Sequence, residues 1–271
     1  MQSNRLQLNT AKTEILWCAT NRRQHLIPQT PIRIGDDYIT PDASVRDLRI
    51  YIDSDVSMKS HISRTVSTCF AALRQIRSIR HCVPRQALVS LVVSLVLSRV
   101  DYGNATLAGV PAIRHQQTAI RVECRCSSHV LVAEVRLCDR VTLLLQELHW
   151  LKVEQRIEYK LAVLVYRCLH GVAPPYLAND FRRVADLGTR RRPRSASTPA
   201  LVVSPSRLST VGDRAFPVVA ARVWNSLPDF VTASTSLPIF GDLATFYVVF
   251  FAFYMPNVRH ISNSGLFDLL T

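Results

Sequence analysis

Residues 57–82 read SMKSHISRTVSTCFAALRQIRSIRHC, in which Met58, Ile62, Val66, Cys69, Phe70, Leu73 and Ile76 recur at helical spacing. Intervals of three and four put these side chains on one stripe, so the segment is expected to form a long amphipathic helix ending near Cys82. Ser57, with Asp53 and Asp55 just before it, suits the start of such a helix. There a carboxylate can cap free N–H groups and oppose the helix dipole. Upstream the period changes, and residues 13–19, 31–34, 38–40 and 45–53 read as short strands punctuated by Pro28, Pro31 and Pro41. Downstream, residues 84–100 read as a second helix with Pro84 in its first turn. Its nearly continuous apolar surface suits burial between other helices, and Asp101-Tyr102-Gly103-Asn104 breaks it. The fold class expected is therefore α+β, a small antiparallel β unit followed by a mainly helical region.

The helical period returns over residues 153–170, with Ile157, Leu161, Leu164, Val165 and Cys168 on one side and Gly171 and Pro174-Pro175 as stop signals. Shorter helices are expected over 175–187, 215–227 and 237–254. Residues 121–138 follow neither period. The segment 188–206, containing Arg190-Arg191-Arg192-Pro193-Arg194, reads as a basic linker and mobile segment that could also serve nuclear import.

The 271 residues include 48% apolar and 20% charged, enough for a real core and unlike a disordered or collagenous chain. Eight glycines form no G-x-G, and no G-x-x-x-x-G-K-[ST] occurs, so the phosphate loops of Rossmann and P-loop enzymes are absent. Lys plus Arg exceed Asp plus Glu by 33 to 20, and only Lys12, Lys59, Lys152 and Lys160 are lysines. Arginine forks bind phosphates bidentately, so a polyanionic partner is favoured over a neutral one. Seven cysteines without a repeating interval fit a reducing intracellular compartment, cytoplasmic or nuclear. The longest apolar runs fall short of the ~18 residues of a bilayer span, so no membrane span is expected.

Arg74, Arg77 and Arg80 step by three and share one helical face, extended by His81 and Arg85. Such a ladder can track successive phosphates, and the competing reading is an ordinary solvated face. Gly35-Asp36-Asp37 has the letters of a polymerase metal hairpin, but the same letters are good turn chemistry, which is the reading adopted. Cys124, Cys126, His129 and Cys138 lack the C-x₂₋₄-C spacing of a structural zinc site. His149-Trp150 has no nucleophile signature beside it and reads as core. No catalytic or metal-binding residue is assigned, and no cofactor is expected in this chain.

Several blocks, in order, resemble reverse transcriptases of LINE-like, non-LTR retrotransposons of the jockey-like branch. MQSNRLQLNTAKTEILWCA (1–19) resembles the motif N-R-L-x-L-N-x-x-K-T-E that follows the catalytic aspartates. SVRDLRIYIDSDVSMKSHI (44–62) is similar to the palm-to-thumb strand and turn, and LVLSRVDYGNATLAG (95–109) to a thumb block. LLQELHWLKVEQRIEYKLAVLVYRCLHGVAPPYL (144–177) and RLSTVGDRAFPVVAARVWNSLP (207–228) are similar to carboxy-terminal blocks. The resemblance implies a palm-end β unit at 1–56, thumb helices at 57–110, a helical carboxy-terminal region at 111–187, the linker 188–206, a family block at 207–240 and a divergent apolar tail at 241–271.

By family position, Lys12 lies on the nucleotide side, the turn around 45–53 helps grip the primer, and Arg74, Arg77, Arg80 and Arg85 belong to the thumb. The implied partners are RNA, DNA or an RNA–DNA hybrid, with palm, fingers and endonuclease domains upstream in a full-length element. The family's F/Y-A-D-D hairpin, which holds Mg²⁺, is expected to precede Met1, so this chain alone is expected to be inactive as an RNA-directed DNA polymerase. Arg49 replaces the usual Gly of R-D-L-G, a tight backbone position where strain is expected. The stretches 121–138 and 241–271 depart from the family pattern and read as frameshift or decay. The alternatives are a helical protein-interaction module or a translated pseudogene without function.

Overall fold

Ile34 and Asp37 face each other across the turn between β1 (Ile32–Ile34) and β2 (Asp37–Ile39), an antiparallel hairpin in which Ile32 also pairs with Ile39. The computed structural model describes residues 9–35, 37–110, 150–186, 200–206 and 211–253. It divides into two units, Met1–Thr68 and Cys69–Thr271. Expectations for 121–138, for Arg190–Arg194 and for 254–271 lie outside the described residues.

In the first unit, Gly35 adopts a φ of 66° in the first hairpin's turn, the left-handed backbone that glycine accepts without a Cβ penalty. A second antiparallel hairpin joins β3 (Ser44–Asp47) to β4 (Ile50–Asp53), with Asp47 opposite Ile50 and Arg46 opposite Tyr51. The single strand expected over 45–53 is thus two strands. Leu48 and Arg49 form the two-residue turn, both at positive φ (45° and 67°), the pattern of the tight turn whose twist matches that of paired strands. The strand expected over 13–19 is absent. Ile15 makes one parallel bridge to Pro41, and Ala19 N–H donates to the Ser54 carbonyl at 2.9 Å, so this segment lies along the hairpins without continuing a ladder.

Helix α1 (Lys59–Ile79) starts in the first unit and continues into the second. Its start is built as the sequence suggested. Asp53 Oδ2 accepts from the Ser60 N–H at 3.1 Å and from the Ser57 hydroxyl at 3.4 Å, while Asp55 Oδ1 accepts from the Ser57 N–H at 2.9 Å. These bonds satisfy donors that the first helical turn leaves open.

In the second unit, Cys69, Ala72, Leu73 and Ile76 are the buried stripe of α1. Helix α2 (Arg85–Val92) runs through a π turn (Val93–Leu97) into α3 (Ser98–Asp101). Pro84 is the residue before α2, not inside its first turn. Ser90 and Ser94 hydroxyls bond the carbonyls of Gln86 and Leu91 in the preceding turn, a competition for acceptors that loosens the regular ladder. Leu88, Val92, Val96 and Leu97 are buried, but Val93 and Leu95 are exposed. The expectation of burial on all sides therefore fails, and this helix is apolar on a face that meets water.

The main core gathers Leu161, Ala162, Val165 and Tyr166 of α4 (Val153–Leu169) against Ala220, Ala221 and Trp224 of α6 (Phe216–Asn225), Val231 of α7 (Asp229–Thr232) and Phe240 and Ala244 of α8 (Leu237–Phe253). Alanines at 220 and 221 let α6 approach α4 closely. Phe240 stacks at 4.5 Å on Tyr166 and at 5.8 Å on Trp224, a geometry that adds about 0.5–1.5 kcal/mol per pair beyond burial. Asn225 exchanges two hydrogen bonds with the backbone of Leu201, 2.8 and 2.9 Å, which fixes the extended segment against α6. The helix expected over 175–187 shortens to α5 (Pro175–Ala178) and a 3₁₀ turn (Val184–Asp186), because the Arg182 carbonyl and the Val184 N–H bond the segment around Leu201 instead.

Candidate nucleic-acid interface

Helix α1 contains no acidic residue, so its arginines have no carboxylate on their own helix. In the second unit, Arg74 and Arg77 are exposed, one turn apart on the same side. Among the described residues neither takes part in an ion pair. Their charge is available to an external anion. Arg80 departs from the expected ladder, because α1 ends at Ile79 and Arg80 lies in the following turn. There it is half-buried and its Nε–H donates to His81 Nε2 at 3.1 Å. Arg85 is exposed at the first position of α2, also off the α1 face. The expected row of four is thus two adjacent helical arginines, with Arg80 in a turn and Arg85 at the start of the next helix.

The first unit holds a grouping that the sequence did not reveal. Across the β3–β4 hairpin, the Arg46 guanidinium lies 5.6 Å from the centre of the Tyr51 ring, and Arg64 from α1 lies over the same ring at 4.3 Å. Both distances fall within the range of cation–π attraction. Of the carboxylates in this unit, Asp53 caps α1 and Asp55 holds Ser57 and Lys59, the latter at 3.7 Å, while Asp47, next to Arg46 on β3, is exposed. Burial would raise the Asp55 carboxyl, but the Ser57 hydrogen bonds and the Lys59 charge outweigh it and hold the group below its ordinary value. The hairpin is the missing signal. Read as one strand, 46 and 51 are an odd interval apart and face opposite ways, whereas across a two-residue turn they become directly opposed.

Lys12 is exposed at the end of a 3₁₀ turn (Thr10–Lys12), its N–H bonded to the Asn9 carbonyl at 3.0 Å. Asp37 of the Gly-Asp-Asp run is a strand residue paired with Ile34, which fits turn chemistry. Asp36, the cysteines at 124, 126 and 138, His129 and His149 lie outside the described residues. Among the described residues no three His, Cys, Asp or Glu side chains group so as to hold a metal ion. The thiol of Cys69 is pushed up to about 11 by burial, against the pull of Arg99, and is not a nucleophile at neutral pH. No helix among the described residues is long and apolar enough to cross a membrane. No family model, curated protein or solved structure matches the chain.

Proposed function

We propose that the chain derives from the palm-end, thumb and carboxy-terminal part of a LINE-like reverse transcriptase, and that on its own it binds RNA, DNA or an RNA–DNA hybrid without copying it. The observation that carries the binding reading is the pair Arg74 and Arg77, exposed and, among the described residues, without ion-pair partners, on a helix free of acids. Exposed guanidinium groups gain most from phosphates, whose condensed counterions are released on contact. The collinear sequence blocks support the family origin, and phosphate contact through backbone charge needs no base readout, so little sequence preference is expected.

The test is fluorescence anisotropy of the purified 271-residue chain with a labelled RNA–DNA hybrid across a salt series. Binding should weaken steeply with salt, each lost phosphate contact reducing the slope of log K against log salt by about 0.9 on duplex DNA. The double variant Arg74→Glu/Arg77→Glu should lose at least about tenfold in affinity. Salt-insensitive binding, or full affinity in the double variant, overturns the binding reading. Template-dependent primer extension with Mg²⁺ overturns the claim that the chain does not copy. A second reading, a helical protein-interaction module, is favoured by Val93 and Leu95, exposed at 42% and 37%. It expects no effect of the charge reversals on association and a clear effect of Val93→Asp/Leu95→Asp.

A further inference from the structure

We propose that the Arg182–Val184 edge and Asn225 form a recognition site for an extended peptide carrying a leucine, filled within the chain by its own residues 200–202 and open to the same residues of a second copy. The site does not depend on nucleic-acid binding. On one side of the segment, the Val184 N–H donates to the Ala200 carbonyl and the Val202 N–H to the Arg182 carbonyl, both at 2.9 Å, around an antiparallel bridge of Arg183 with Leu201. On the other side, Asn225 Oδ1 accepts from the Leu201 N–H at 2.8 Å and Asn225 Nδ2 donates to the Leu201 carbonyl at 2.9 Å. Successive backbone groups, from the Ala200 carbonyl to the Val202 N–H, are thus held by partners outside the segment. Between these two rails the Leu201 side chain enters the main core, 2% exposed, in the same buried cluster as Ala221, Trp224 and Leu227.

Backbone bonds for affinity and a side-chain pocket for selectivity are the two parts of peptide recognition by strand addition. An Asn amide, with one carbonyl and one NH₂, reads a residue's N–H and C=O as a neighbouring strand would. Only the leucine goes deep. Arg182, Arg183, Ser204 and Asn225 are exposed, and Ala200, Val202 and Val203 are half-buried, so the rails lie at the surface, where one segment can leave and another enter. Residues 187–199, LGTRRRPRSASTP, tie the segment to Asp186 and hold one large apolar residue, Leu187, so their composition offers almost no anchor of its own.

The occupant follows from the fit. The site holds Ala-Leu-Val, a second copy carries the same residues, and exchange between copies therefore reproduces every contact. A tethered segment competes at an effective concentration in the millimolar range, so the closed monomer prevails at micromolar concentration until the segment is loosened.

The test uses the full chain with its resident segment weakened, Leu201→Asp, and a fluorescein-labelled peptide of residues 197–206 as probe. Anisotropy should show saturable binding. Leu201→Asp in the peptide, or Asn225→Ala added to the chain, should weaken it at least about tenfold, the effect of losing the anchor or two hydrogen bonds. Mixing Leu201→Asp chains, whose groove is intact, with Asn225→Ala chains, whose segment is intact, should give a heterodimer by light scattering that neither variant forms alone. Val202→Pro removes the N–H that donates to Arg182 and keeps the core leucine, so it takes the place of Leu201→Asp if that variant does not unfold cooperatively in urea. In the ¹⁵N-labelled wild-type chain, unlabelled peptide at millimolar concentration should move the Leu201 and Val202 amide signals to unbound positions. No saturable binding in a cooperatively folded variant, unmoved wild-type amides, or binding indifferent to the peptide's leucine and to Asn225 each overturns the site. Peptide binding without a mixed dimer overturns the second copy as its occupant.

Discussion

The Lys160 ammonium donates to the backbone carbonyl of Asp101 at 2.8 Å, joining residues 59 apart in sequence. It also donates to Asn104 Oδ1 at 3.2 Å, while Asn104 Nδ2 and Arg156 Nε approach the Asp101 carboxylate at 3.4 and 3.2 Å. Asn104 is 1% exposed, so its amide depends on these partners and not on water. The break after α3, where Gly103 takes a φ of 64°, is thereby pinned to one side of α4. Two segments that sequence treats as separate blocks, one around Asp101 and one around Lys160, are halves of one polar junction.

A double-mutant cycle measures that junction. Asn104→Ala should cost about 1–3 kcal/mol in urea unfolding, because it removes a buried amide and leaves Lys160 and Asp101 short of a partner. Lys160→Met should cost less, since the ammonium is only half-buried and its long stem still packs. The coupling between the two sites is expected near 1 kcal/mol. Coupling below about 0.3 kcal/mol would show that the contact does not contribute to stability.

What the sequence disclosed follows from the range over which each signal acts. The α+β class and the helices of Lys59–Ile79 and Val153–Leu169 were legible because a 3.6-residue period repeats over many turns, and one deviant residue does not hide it. Asp53 and Asp55 were legible as capping residues because their partners lie within seven positions. The β3–β4 turn was not legible from the residue pattern, since Leu48-Arg49 carries neither Gly nor Asn and the hairpin reads as one uninterrupted strand; only the family resemblance marked Arg49 as a tight position. That miss concealed the Arg46–Tyr51–Arg64 grouping, which exists only once the register is known. Arg80 was misplaced for a different reason: a step of three continues in sequence after the helix carrying it has ended. Contacts such as Lys160 with Asn104 have no local signature at all.

The turn itself supports a prediction. Arg49 is exposed at a φ of 67°, where a Cβ costs about 1–2 kcal/mol, and nothing about its packing offsets that. Arg49→Gly should stabilise the hairpin by about 0.5–1 kcal/mol after the added freedom of glycine in the unfolded chain is subtracted. Amide exchange at Ile50 and Ile52, whose pairs with Asp47 and Val45 are the hydrogen-bonded ones of this register, should slow by roughly two- to fivefold. Arg49→Ala serves as the control, because it removes the side chain but keeps the Cβ, and it should leave exchange nearly unchanged. Equal protection in the glycine and alanine variants would show that charge, not backbone strain, governs the turn.

His61 supplies the pH dependence. It is 5% exposed on the first turn of α1, with Nδ1 buried and without a hydrogen-bond partner among the described residues. Burial pushes its pKa below the ordinary 6.5, and the nearby Asp53 carboxylate pulls only partly the other way. Between the folded and unfolded values the unfolded chain holds more protons, so stability rises with pH across that interval. The contribution is complete above pH 6.5 and is lost as pH falls through the folded value, with a slope of at most about 1.4 kcal/mol per pH unit. His61→Phe, close in shape and unable to titrate, isolates the effect: unfolding in urea between pH 5 and 8 should show wild type losing stability relative to the variant only below pH 6.5. Asp53→Asn sharpens the test, because its amide oxygen can still accept from the Ser60 N–H while the charge that favours imidazolium is gone. The NMR titration of His61 should then move to still lower pH, and a midpoint that stays in place would separate Asp53 from the histidine's titration altogether.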